Sequence, residues 1–283
     1  MESIIAANNI VKSFGGKKVL DGISFRVRKG QIFGLLGPSG AGKTTLIKIL
    51  TGQLDRDAGT VEINGRDARD LTGEHSKGFG IMMDNFGVYE RLSCCENLKI
   101  FAEIYGVTKD GMRNALYKVG LEGAQKTSAA KLSKGMRSRL RLARAFMTEP
   151  DILFLDEPTS GLDPATANDI HKIMLAEKEK GKTIFLTTHM MSEAEKLCDN
   201  IVLINEGKLA EQGSPQEICR RYDHRRMLAI HLSDGTDIWL PHSGSSAGQL
   251  AELLRNGSAE TIHTTEPNLE TVFMELTGKE LAV

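Results

Sequence analysis

Apolar residues recur along this chain at two spacings, and the switches between them mark out its elements. Ile23, Phe25 and Val27 alternate with polar neighbours and stop at Lys29-Gly30, which predicts a strand with one buried face. Ile32-Phe33-Gly34-Leu35-Leu36 has no polar position and predicts a strand buried on both faces, as in a parallel sheet. Leu46, Ile47, Ile49 and Leu50 follow at helical spacing, and Gly52 can end that helix in a left-handed turn. The same alternation returns later, with strands predicted over 152–155, 183–186 and 201–204 and a helix over 164–181 opened by Pro164.

Between these two runs the texture is helical. Ser93 and Glu96 form a capping-box pair, and Leu98, Phe101, Ala102 and Tyr105 repeat at i, i+3, i+4 and i+7 before Gly106. A second helix is predicted over 110–119. A third follows Ser133, its cap, and carries Leu140, Leu142, Ala143, Phe146 and Met147. Residues 84–146 therefore read as an inserted helical subdomain. After a helix capped by Ser214-Pro215-Gln216-Glu217 the pattern shifts to Leu228, Ile230 and Leu232, a turn at Asp234-Gly235, and Ile238-Trp239-Leu240. A helix with Leu250, Leu253 and Leu254, a strand over 261–263 and a last helix with Leu269, Val272, Phe273 and Leu276 complete it. The predicted domains are 1–222 and 223–283, the second a small α+β appendage.

Composition narrows the function. A net charge of −1 gives no electrostatic footprint for nucleic acid, and no such partner is expected. No apolar run approaches the roughly 18 residues needed to span a bilayer, and the first residues lack a signal peptide's basic and long apolar regions, so membrane contact is expected only through another protein. Cys94, Cys95, Cys198 and Cys219 form neither a C-x-x-C pair nor a zinc spacing, which fits a reduced, cytosolic compartment. Arg220-Arg221 and Arg225-Arg226 read as a solvated junction or a membrane-surface contact.

The candidate chemistry starts at Gly37-Pro38-Ser39-Gly40-Ala41-Gly42-Lys43-Thr44-Thr45, a G-x-x-x-x-G-K-[ST] pattern between a predicted strand and a predicted helix. Glycines there let backbone N–H groups turn inward around an anion, and the helix N-terminus adds partial positive charge. Lys43 is expected to reach the β- and γ-phosphates of a bound triphosphate, and the Thr44 hydroxyl to ligate Mg²⁺. The run 152–155 ends in Asp156-Glu157, where carboxyl ends of parallel strands meet ligand. Asp156 is placed to hold Mg²⁺ and Glu157 to orient or deprotonate the attacking water. The strand over 183–186 delivers Thr187-Thr188-His189 to the same edge, where His189 either senses the γ-phosphate or supports Glu157. Phe14, taken alone, is either a core residue or a ring for stacking on a base.

The phosphate loop, Leu132-Ser133-Lys134-Gly135-Met136, Asp156-Glu157, Ser160-Gly161-Leu162-Asp163 and His189 occur in an order that resembles the ATP-binding cassette (ABC) ATPases, over about residues 3–222. The resemblance implies an α/β phosphate-loop NTPase (RecA-like) core with an antiparallel β subdomain and an inserted helical subdomain. It implies that Phe14 stacks on adenine, that Ser133 and Gly135 contact the γ-phosphate across a dimer, and that Asp163 links the two sites. Glu157 becomes the catalytic carboxylate and His189 the switch histidine. The partners it implies are an integral membrane permease and a second cassette, identical or paralogous, at the cytoplasmic face of the cell membrane. The segment around Asp84, Phe86 and Tyr89 looks like the loop that touches the permease.

Two departures stand out. The usual Gln of that loop is Asp84 here, beside Asn85. A carboxylate about 4 Å from a phosphate charge would cost on the order of 4 kcal/mol at an effective dielectric of 20, so Asp84 faces Mg²⁺, turns away, or leaves the role to Asn85; the Mg²⁺ role is preferred. The signature reads Leu-Ser-Lys-Gly-Met rather than Leu-Ser-Gly-Gly-Gln. With the tail Glu266-Pro267-Asn268-Leu269-Glu270-Thr271-Val272-Phe273 it is similar to the bacterial drug, bacteriocin and lantibiotic export branch. A soluble ABC ATPase of DNA maintenance or translation is the alternative, but no heptad run or second phosphate loop occurs. A non-hydrolysing regulatory cassette is disfavoured by the presence of Lys43, Asp156, Glu157 and His189 together.

Overall fold

In the computed structural model, residues 3–76, 78–83, 87–223, 227–264 and 267–278 are described. The chain opens with β1 (Ser3–Phe14) and β2 (Lys17–Arg28), then β3 (Ile32–Leu36), α1 (Lys43–Leu50), β4 (Ala58–Ile63), β5 (Arg66–Asp67), the single-turn α2 (Gly73–Ser76) and β6 (Phe79–Met82). The helical stretch holds α3 (Cys94–Tyr105), α4 (Lys109–Lys118) and α5 (Lys134–Phe146). Strand and helix then alternate through β7 (Ile152–Asp156), α6 (Pro164–Glu179), β8 (Thr183–Thr188), α7 (Met191–Leu197), β9 (Asn200–Asn205) and β10 (Lys208–Gly213). The tail contains α8 (Pro215–Arg221), β11 (Met227–Leu232), β12 (Asp237–Pro241), α9 (Ala247–Arg255), β13 (Ala259–Thr264) and α10 (Leu269–Thr277).

Local signals set the helix starts. Ser93 and Ser214 both form reciprocal capping boxes, with Glu96 and Glu217 returning the bond. Ser133 Oγ accepts from Met136 N at 3.2 Å to start α5, and Asp163 Oδ1 accepts from Thr166 N at 3.0 Å to start α6. β1 has no clean alternation in the sequence because its pairing slips at Asn8-Asn9, where Asn9 has φ +50° and the inward face changes parity. β6 is only four residues long and too short for a period to register.

Six strands form one sheet in the order β10-β9-β3-β8-β7-β6, parallel except for β10. β3, β7 and β8 are buried at every position, as their unbroken apolar runs require. A separate antiparallel sheet, β2-β1-β4-β5, packs its apolar face on this one. A row of phenylalanine rings crosses the contact: Phe25 of β2 lies 5.3 Å from Phe33 of β3, Phe33 lies 5.6 Å from Phe185 of β8, and Phe185 lies 5.8 Å from Phe154 of β7. Phe79 of β6 closes the row, edge-on to Phe154 at 5.7 Å.

The chain divides into two compact units, with the change between Gly213 and Ser214. The boundary predicted at 222 falls after α8, which belongs with the second unit and packs against α10 there. The second unit has its own antiparallel sheet, β12-β11-β13, with Leu228, Ile230 and Leu240 at its core and Leu250 and Leu253 of α9 against them.

Phe185→Ala removes three ring contacts from the centre of the phenylalanine row and should cost about 3–5 kcal/mol of stability. Urea denaturation followed by circular dichroism checks this; a change below about 1 kcal/mol would mean that the row does not act as the core.

Candidate active site

Three strands end level with one another. Leu36 of β3 pairs with Thr188 of β8, and Asp156 of β7 pairs with Thr187, so Gly37, Glu157 and His189 leave the sheet at one edge. The loop after β3 is pressed close to its neighbours. A Cβ on Gly37 would lie 2.3 Å from the Ile204 carbonyl oxygen. One on Gly42, where φ is +102°, would lie 2.7 Å from Leu20 Cδ2 and 2.9 Å from the Val19 carbonyl oxygen. Gly42 has no side chain to cap α1, so the first-turn N–H groups remain open to an anion.

Lys43 is buried at 6 % exposure, and its Nζ donates to the carbonyls of Gly37 at 2.7 Å and Pro38 at 3.2 Å. The same ammonium lies 3.1 Å from Glu157 Oε1. Thr44 Oγ1 donates to Asp156 Oδ2 at 2.8 Å, and Thr187 Oγ1 donates to the other oxygen of that carboxylate. Asp156 is 2 % exposed, and two hydroxyl donors replace the water it has lost. Glu157 has φ +50°, a conformation that a non-glycine residue adopts at some cost, and its N–H is held by the Thr187 carbonyl at 3.1 Å. That turn points its carboxylate along the edge, where Oε2 accepts from His189 Nδ1 at 2.6 Å.

These groups share one cleft of 690 Å³, lined also by Val19, Ser39, Gly40, Thr45, Met83 and Ser160. A second cleft of 590 Å³, beside β2 and the β9-β10 edge, has no carboxylate or imidazole among the described residues of its lining. The cleft therefore joins an anion cradle, a buried cation, a hydroxyl–carboxylate pair and a carboxylate–imidazole pair.

Phe14 does not line it. The ring is 49 % exposed at the end of β1 with Lys12 Nζ 5.4 Å from its centroid, which rules out the core reading; Val19, on the returning strand, reaches the cleft instead. Ser133, Gly135 and Asp163 also lie outside the lining, yet they come together elsewhere. A Cβ on Gly135 would meet Thr166 Cγ2 at 2.5 Å, and Lys134 covers Gly161. Thr166, through both its side chain and its N–H, holds the Asp163 carboxyl below the usual carboxylate range. Asp84, Asn85 and Phe86, and likewise Arg225 and Arg226, lie outside the described residues. Sequence reasoning gave no role to Thr187 or Ser160; the first differs from any strand threonine only through its registration opposite Asp156.

Fold and cleft together define a phosphate-loop nucleoside triphosphatase. The pattern of the family described as ABC transporter matches residues 20–160. The fluoroquinolones export ATP-binding protein of Mycobacterium tuberculosis is 39 % identical, over 92 % of this chain and 88 % of its own length. The linearmycin resistance ATP-binding protein of Bacillus subtilis is 32 % identical, over 98 % and 99 %. Among solved structures, the ATP-binding subunit of an ABC transporter superposes with a TM-score of 0.70 at 29 % identity, over 78 % of this chain and 93 % of that one. The chain belongs to the ABC transporter family, as an ATP-binding and ATP-hydrolysing subunit.

Lys43→Ala removes the ammonium of the phosphate loop itself, and nucleotide affinity should fall on the order of ten- to hundredfold, the worth of a charge-assisted hydrogen bond of about 1.5–3 kcal/mol. Equilibrium titration with a fluorescent ATP analogue reads it directly.

Proposed function

We propose that this cassette closes with a second one, identical or paralogous, over ATP, and that closure and reopening drive a separate membrane permease that exports a drug, antibiotic peptide or similar amphiphile. The observation that carries the reading is the cleft in which Lys43, Thr44, Asp156, Glu157 and His189 are hydrogen-bonded to one another at the carboxyl edge of the sheet. Export is supported by relatives that span nearly the whole chain and are named for fluoroquinolone export and linearmycin resistance. The DNA-maintenance and translation alternative has no comparable support.

Glu157 is the general base or water-orienting group. Its carboxylate is fixed by His189 on one oxygen, while Lys43 exchanges the other oxygen for a phosphate when ATP enters. Thr44 and Asp156 offer hard oxygen donors side by side, the set that suits Mg²⁺, and they would hold it with phosphates and waters completing its shell. Bound there, the ion neutralises charge on the β- and γ-phosphates. Asp84 is assigned to the same ion. Phe14 is assigned to the adenine, and Ser133 and Gly135 to the γ-phosphate of the facing subunit. The second assignment is supported by their place on an exposed helix start away from this chain's own cleft. Asp163, beside them, links the two sites. The subunit works at the cytoplasmic face of the membrane through its permease; no helix among the described residues is long and apolar enough to cross a bilayer. Tyr89, 53 % exposed, belongs to the permease-facing surface.

Glu157→Gln should retain ATP binding, lose at least tenfold in turnover and accumulate a closed dimer, seen by size-exclusion chromatography with ATP. Undiminished turnover would remove Glu157 from the catalytic role. Asp84→Ala should lower permease-coupled turnover more than ATP affinity, and equal losses in the two would count against the Mg²⁺ assignment.

A further inference from the structure

Below the cleft lies a buried polar cluster that the chemistry above does not use. Thr159, His171 and Glu193 are 3 %, 8 % and 2 % exposed. Thr159 Oγ1 donates to Glu193 Oε1 at 2.6 Å, and His171 Nε2 meets the same oxygen at 2.8 Å. The second carboxylate oxygen, Glu193 Oε2, and His171 Nδ1 have no hydrogen-bond partner among the described residues. Burial, with the charges of Glu193 and Asp199 added to it, pushes the neighbouring Cys198 thiol far up, so that thiol offers the cluster no anion of its own. A dry, partly satisfied carboxylate is an expensive way to fill a core, and an apolar residue of similar size would pack there without that cost.

Its connections suggest what it does. Thr159 follows Glu157 by two residues, and Glu193 follows His189 by four on α7. The two segments that carry Glu157 and His189 are thus tied twice, once in the cleft by the Glu157–His189 bond at 2.6 Å and once beneath it by Thr159–Glu193. Between these ties the Pro158 carbonyl accepts from Ser138 Oγ of α5 at 2.8 Å, while His171 anchors the lower tie to α6. With Glu157 and Thr159 held through their side chains and Pro158 through its carbonyl, the strained turn at Glu157 keeps its carboxylate on His189.

We propose that Glu193 is a positioning residue, acting with Thr159 and His171 to hold the segment of Glu157 at the distance from His189 that hydrolysis requires. The inference rests on the catalytic reading of Glu157. It goes beyond that reading by assigning to a residue outside the cleft the geometry of the acid–imidazole pair.

The test is steady-state ATPase and equilibrium ADP binding on the full chain carrying Glu193→Ala, Glu193→Gln or Thr159→Val. Leu116→Ala serves as a control, because it opens a buried site in α4, which belongs to neither segment. Glu193→Ala should lower kcat at least tenfold while KM for ATP and Kd for ADP stay within twofold. Thr159→Val should do the same more weakly. Glu193→Gln keeps an acceptor for both donors and should recover most of the rate. The proposal is overturned if Glu193→Ala keeps kcat within twofold of the parent, if it loses no more rate than Leu116→Ala at equal loss of Tm, or if Glu193→Gln is as slow as Glu193→Ala. Should Glu193→Ala fail to fold, Thr159→Val and Glu193→Gln decide by the same criteria. Glu157→Gln, run alongside, separates the two readings. An inactive Glu157→Gln with a fully active Glu193→Ala refutes only the positioning role, whereas an active Glu157→Gln refutes the catalytic reading beneath it.

Discussion

The carboxylate of Asp156, dry at the end of a fully buried parallel strand, is the constraint around which this cassette is organised. An anion there is tolerated only because Thr44 and Thr187 each donate a hydroxyl to it, and losing one such partner inside a protein costs about 1–3 kcal/mol. The requirement ties three strands together. Thr44 lies in the first turn of the helix after β3, Thr187 is the last residue but one of β8, and Asp156 ends β7, so satisfying one side chain fixes the mouth of the cleft. Glu157 and Lys43 pair beside them, with Lys43 buried and the Glu157 carboxylate at 18 % exposure.

That edge keeps its level because the sheet behind it is rigidly packed. Rings from five strands stand in a row beneath the cleft, and they join the antiparallel sheet to the parallel one through Phe25 and Phe33. Packing at this density has few alternative arrangements, so the strand ends cannot drift by the fraction of an ångström that would separate a donor from its acceptor. In the proposed function Lys43, held in part by Glu157, exchanges a carboxylate for a phosphate.

The signature residues obey a different geometry. Ser133 and Gly135 stand at the start of α5, locked to the loop of Asp163 by Thr166 and by Lys134 over Gly161, and they lie outside the lining of this chain's own cleft. A helix start that presents open N–H groups and a serine hydroxyl has the chemistry of an anion contact but lacks an anion cradle of its own. In the proposed function one chain holds two dissimilar halves of a site, and the second half is completed by the phosphate loop of another subunit.

Much of this was legible along the chain. The unbroken apolar runs identified β3, β7, β8 and β9, since a strand buried on both faces has nowhere to put a polar side chain. Ser93, Ser133 and Ser214 announced their helices, because a cap is a local bond between residues three apart, and Pro164 announced another by its fixed φ. The phosphate loop, Asp156, Glu157 and His189 were readable for the same reason: each is a fixed sequence distance from the end of such a strand. Tertiary structure alone decided the rest. β1 hides its period behind a slip at Asn8-Asn9, and β6 has too few residues to show one. Phe14 was undecided between core and ligand until its exposure excluded the core. Thr187 earns its place only by lying opposite Asp156 in the sheet, and Thr159, His171 and Glu193 meet across 34 residues of sequence. Local order fixes what a residue bonds within a turn or two; which distant carboxylate a buried hydroxyl must satisfy is settled only when the strands are laid side by side.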